Sequence, residues 1–111
     1  MEQEVILDRQ IKDCDPKLIR SLMRSEVRKS ILLYLYDIYP LSSYPAEIAR
    51  RVNANPINVI GAIKGVKTRY NCSSSLLHLG VISVIEDNGL IFYQISESGI
   101  ELAKHMIGIS E

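Results

Sequence analysis

Two short helix-like runs joined by a tight break, and a pair of β-branched runs closed on Asn-Gly, constrain this chain more than any other feature. Tyr44-Pro-Ala-Glu-Ile-Ala-Arg-Arg-Val52 reads as a short helix. Pro45 stands near its first position and Glu47 near its third, where a carboxylate suits the positive helix end. Asn53-Ala-Asn55 then interrupts it, because Asn takes up a left-handed backbone or caps a following helix. Pro56 opens a second helix, predicted to run to about Arg69. Val81 to Ile85 and Leu90 to Ile95 flank Asp87-Asn88-Gly89, and Asn-Gly is among the strongest signals for a tight hairpin. A helix, a turn, a second helix and a hairpin are the parts that present a helix to the DNA major groove.

The flanking segments fit around that unit. Val5-Ile-Leu7 is a short apolar run that reads equally as a strand, an arm or a frayed helix. Asp15-Pro16 is an N-cap followed by Pro at the first helical position, and Leu18, Ile19, Leu22 and Met23 follow at helical spacing. From about Ser25 to Tyr39, the residues Val27, Ile31, Tyr34, Leu35 and Ile38 line one helical face, and Pro40 stops the run. Whether 16–39 is one helix or two is open. Leu41-Ser-Ser43 can add a small strand to the hairpin. Ser74 or Ser75 can cap a short helix over Leu76 to Leu79, ended by Gly80. Ser96 caps a last helix through Ile107, with Ile100, Ala103 and Ile107 on one face. The expected fold is therefore mostly α with a small antiparallel β-hairpin, an α+β winged helix-turn-helix. It divides into an N-terminal arm or helix (1–24), the winged helix-turn-helix (25–96) and a C-terminal helix (97–111) suited to dimerisation.

At 111 residues and 47% apolar content the chain is one small domain with a real core. Its surface-to-volume ratio is poor, so a homodimer that shares core would help. There is no apolar run long enough to span a membrane and no secretory leader pattern. The expectation is a cytoplasmic protein without a membrane partner. Cys14 and Cys72 match no zinc spacing and suggest no disulfide framework, and with His78 and His105 they form no recognised ligand pair. No phosphate loop, nucleophile motif or paired acid is present, so no enzyme, cofactor or metal is expected. Formal net charge is zero, which weighs against nucleic acid until its distribution is considered. Residues 44–72 carry Arg50, Arg51, Lys64, Lys67 and Arg69 against Glu47 alone, whereas residues 73–111 carry Lys104 against five carboxylates. A local basic face matters more for phosphate contact than the total.

Within the second helix, a step of about 100 degrees per residue from Ile57 puts Val59, Ile63, Val66 and Tyr70 on one stripe, the expected buried face. Ile57, Asn58, Gly61, Lys64, Gly65 and Thr68 fall opposite, with Lys67 and Arg69 on the flanks. Asn58 has the geometry for adenine N6 and N7, and Ile57 for a thymine methyl. Arg50, Arg51, Lys64, Lys67 and Arg69 suit phosphates. Asn55 to Asn58 lie at the positive helix end, which favours a phosphate. Gly61 and Gly65 each cost roughly 1 kcal/mol against Ala inside a helix, a sign of close approach by DNA or by a neighbouring element. The candidate DNA-binding set is thus Arg50, Arg51, Asn55, Ile57, Asn58, Gly61, Lys64, Lys67, Thr68 and Arg69. Tyr34, Tyr36, Tyr39, Tyr44 and Tyr70 read as core or interface aromatics.

Arg24-Ser-Glu-Val-Arg-Lys-Ser-Ile-Leu32, Tyr44 to Arg50, Asn58-Val-Ile-Gly-Ala-Ile63, Ser75-Leu-Leu-His-Leu-Gly-Val81 and Tyr93-Gln-Ile-Ser-Glu-Ser-Gly99 follow one another in order. With them the chain resembles the winged helix-turn-helix transcriptional regulators, particularly small archaeal ones, over about residues 24 to 105. The resemblance implies double-stranded DNA binding as a homodimer, with the terminal helices forming the dimer contact. One departure matters. Wings that grip DNA usually carry Arg or Lys at the tip, and this tip is Glu86-Asp87-Asn88-Gly89. The alternative to a sequence-specific regulator is a winged-helix protein–protein interaction module in a larger complex, which the acidic tip and the neutral total favour. The operator, the sign of regulation, any small-molecule effector and the role of residues 1–15 are not encoded legibly.

Overall fold

The structure is a computed structural model that describes residues 24–65 and 75–108. Its elements run α1 (Glu26–Ile38), α2 (Pro45–Val52), α3 (Pro56–Lys64), α4 (Leu76–Leu79), β1 (Ile82–Asp87), β2 (Leu90–Ile95) and α5 (Glu97–Ile107). The fold is mostly helical with one two-stranded antiparallel hairpin. The expected arm and helix before residue 24 lie outside the described residues, as do Cys14, Val66, Lys67, Thr68, Arg69, Tyr70 and Cys72.

Local sequence sets the boundaries. The Ser25 hydroxyl accepts from the Arg28 amide at 3.2 Å and starts α1. Asn53 ends α2 in the left-handed region at φ 58. The Asn55 side chain accepts from the Ile57 amide at 2.8 Å, and Pro56 sits at the first turn of α3, a position where a missing N–H costs nothing. Ser75 caps α4 and left-handed Gly80 ends it. Ser96 caps α5 by accepting from the Gly99 amide at 3.1 Å, while its hydroxyl donates to the Gly80 carbonyl at 2.6 Å. That one side chain ties the end of α4 to the start of α5.

The hairpin pairs Ile82 with Ile95 and Asp87 with Leu90. Its turn is Asn88-Gly89, at φ 54 and 80, the two positive values that a twist-matched two-residue turn demands. Ser43 adds the expected third strand as a single bridge, exchanging backbone hydrogen bonds with Tyr93 at 2.7 and 2.9 Å. Ile31, Leu32 and Leu35 of α1, Ile48 of α2, Val59 and Ile63 of α3, Leu76 of α4, Ile82 and Ile95 of the hairpin and Leu102 of α5 form one buried core. α1 is its axis, packing against α2, α3, α5 and β2.

One expectation fails here. The second helix does not continue to residue 69: α3 ends at Lys64, and Gly65 at φ 91 and ψ 162 has left helical space. Glycine is the residue least held in a helix and freest to take positive φ. Val59 and Ile63 of the expected stripe belong to α3, and Val66 and Tyr70 lie outside the described residues.

Candidate nucleic-acid interface

α3 has two unlike faces. Val59 and Ile63 are fully enclosed, as their spacing predicts, and they press the helix onto α1 and α2. On the other side Ile57 is 77% exposed, and Asn58 and Lys64 also face solvent. Gly61 is half-buried between them. Ile60, 42% exposed, belongs to the same face. Ile60 is absent from the candidate set, although the wheel that exposes Ile57 puts it at about 300 degrees, well off the buried stripe. Over roughly two turns, α3 thus offers two branched apolar groups, an amide and an ammonium on one strip.

Asn55 does other work. Its side-chain oxygen is committed to the Ile57 amide, so it builds the helix start and leaves only its NH2 group for a ligand. The neighbouring α2 carries Arg50 and Arg51, both exposed. The Glu47 carboxylate holds both: its Oε1 accepts from Arg50 and its Oε2 from Arg51 at 2.7 Å. Those bonds, from Arg51 first and then from Arg50, hold the Glu47 carboxyl below the usual range, and the same pairing raises Arg51. Among the described residues one of the five N–H donors of each guanidinium is engaged, which leaves others for a ligand. The local positive charge is thus reduced by Glu47 and at the same time fixed in place. Lys67, Thr68 and Arg69 of the candidate set lie outside the described residues.

The hairpin tip projects Glu86, Asp87, Asn88, Gly89 and Leu90 into solvent. Nearer the base, Tyr44 meets Phe92 edge-on, with ring centroids 6.1 Å apart. Of the tyrosines expected in a core or an interface, Tyr34 and Tyr36 pack partly against the core, while Tyr39 and Tyr44 are about half exposed at 51% and 47%. Among the described residues Tyr93 is the buried tyrosine. Among the described residues no group of three or more His, Cys, Asp and Glu side chains could hold a metal ion, and no helix is long and apolar enough to cross a membrane.

A family model described as EarA-like matches residues 18–106. An uncharacterized protein of Methanocaldococcus jannaschii is 42% identical over 90 residues, which is 81% of each chain. No solved structure matches.

Proposed function

We propose that this chain, which belongs to the EarA-like family, is a sequence-specific double-stranded DNA-binding transcriptional regulator built as a winged helix-turn-helix. The observation that carries this reading is the exposed face of α3, where Ile57, Asn58, Ile60 and Lys64 stand clear of the core that Val59 and Ile63 anchor. α2, a turn and α3 have the order of a helix-turn-helix, and the hairpin follows where a wing would. In this reading the N-terminal part of α3 enters the major groove. Asn58 pairs with a base edge, and Lys64 and the unused donors of Arg50 and Arg51 take phosphates. Lys67, Thr68 and Arg69 would extend the contact beyond Gly65. The cytoplasm and a homodimeric state belong to the same proposal.

A second reading has its own support. The exposed acidic tip, the Glu47 clasp on both arginines and the bare isoleucines of α3 all suit a module that docks on another protein. A salt titration separates the two. A DNA binder loses duplex affinity steeply as salt rises, and Lys64→Ala flattens the slope by about one unit for one lost phosphate contact. A protein-docking module binds duplex weakly at every salt concentration, and Lys64→Ala changes nothing.

A further inference from the structure

Among the described residues the most exposed isoleucine stands in the first turn of α3, and a second exposed one follows three residues later. Water does not favour that arrangement, and the core does not require it, since Val59 and Ile63 already fill the buried side. From this pair we infer that Ile57 and Ile60 read pyrimidine 5-methyl groups in the major groove, a selectivity that rests on the DNA-binding reading above.

Three observations choose this occupant. The apolar groups a major groove presents are the thymine methyls, and the base edges are met by the N-terminal residues of a recognition helix. Ile57 occupies the second helical position of α3, after cap Asn55 and Pro56. Residues three apart share a face and rise about 4.5 Å along the axis, close to the roughly 3.4 Å step between successive nucleotides. Two methyls on neighbouring steps are therefore within the reach of the pair. Isoleucine is also stiff at its first side-chain torsion, so ordering it against a methyl sacrifices little freedom.

Charge selects a polyanion over an apolar protein groove. On the same projection Lys64 falls at about 340 degrees, between Ile60 and Ile57. Its ammonium lies on that face about 6 Å further along the axis than Ile60, where a phosphate beside the groove suits it better than an apolar socket. Leu90, also exposed at 62%, shows the contrast. It pairs across the hairpin with Asp87, a setting that phosphates avoid.

The test begins with the full chain and a randomised duplex pool, from which bound sequences are selected. The recovered duplex is then remade with deoxyuridine in place of thymidine at one position at a time, which deletes the methyl and nothing else. Unmodified protein should lose about threefold to fivefold in affinity at one or two adjacent positions, the amount one buried methyl is worth. Ile57→Ala and Ile60→Ala should each bind thymidine and deoxyuridine duplexes alike at one of those positions, which makes the coupling pairwise. Deoxyuridine that is neutral everywhere, on a duplex still bound with a steep salt slope, overturns the methyl-reading pair and leaves DNA binding standing. Failure to recover any duplex, with no salt-dependent binding to the pool, overturns both together. The deoxyuridine series uses unaltered protein, so misfolding of a variant does not obscure it.

Discussion

Gly99, in the first turn of α5, leaves no room for a side chain. A Cβ built there would stand 2.0 Å from the Val81 carbonyl oxygen and 2.7 Å from Cγ1 of Ile95. The first is a backbone atom, and it already accepts from the Ser96 amide at 3.0 Å, so it cannot retreat without breaking the junction between α4, β2 and α5. Gly99→Ala should therefore lower unfolding free energy by about 1–3 kcal/mol, the usual range for an overpacked site. A urea titration checks it, and an unchanged midpoint would mean that the α5 start moves freely. Glu47 makes the opposite case, a residue whose role is electrostatic. Its folded carboxyl is held low by Arg51 and then Arg50. Any stability it adds is present above the ordinary Glu value of about 4.3 and lost as pH falls through its lower folded value. Glu47→Gln should lower the urea midpoint slightly at pH 7, and the gap to the unmodified protein should close by pH 2. A gap unchanged at pH 2 would show that the loss comes from packing. The pair is exposed, so the effect is small.

At the level of elements, what the sequence could reveal divides along physical lines. Short-range chemistry was legible: Asn55, Ser75 and Ser96 cap helices, Asn53 and Gly80 end them, and Asn88-Gly89 turns the hairpin. Each depends on a residue and its immediate neighbours. Periodicity gave the buried Val59 and Ile63 and the exposed Ile57 and Lys64. It failed at Gly65, where an apolar period continued in the sequence past the point at which the backbone left the helix. Side-chain pairing was not legible at all. Glu47 read as a helix-dipole partner, and its clasp on Arg50 and Arg51 depends on rotamers. The hairpin carries its own prediction. Glu86 and Asp87 are exposed at its tip, and carboxylates close to a phosphate backbone repel it. Replacing both with Lys should raise non-specific duplex affinity, most at low salt, because it adds phosphate partners without touching α3. Affinity unchanged at every ionic strength would place the tip away from the duplex. Loss of specific binding with the fold intact would mean that the carboxylates themselves accept hydrogen bonds from bases.

For the whole molecule the open quantity is how many copies act together. The apolar positions from Ile100 to Ile109 are one sequence argument for a homodimer. Much of that apolar content is used within the chain: Leu102 and Ala103 are fully buried, and Ile100 and Met106 pack partly against the core. Ile107 alone on α5 is a large apolar side chain left in the open, at 44%. Deleting 97–111 would therefore remove part of the core along with any interface, and loss of dimers after that deletion would prove little. A point change at the exposed position is the sharper probe. The argument for two copies still has weight, since Tyr39, Leu41 and Ile107 remain exposed, and symmetric pairs are the commonest assembly. A helix-turn-helix pair also reads two half-sites about 34 Å apart, which multiplies a selectivity that one short helix delivers weakly. Light scattering at micromolar concentration should give twice the monomer mass. Ile107→Glu should shift that equilibrium toward monomer while circular dichroism and the urea midpoint of the monomer stay the same, because the side chain supports no core contact that the fold needs. A monomer in the unmodified protein would remove the dimer from the proposal. A dimer indifferent to Ile107→Glu would move the interface off α5 to other exposed apolar positions.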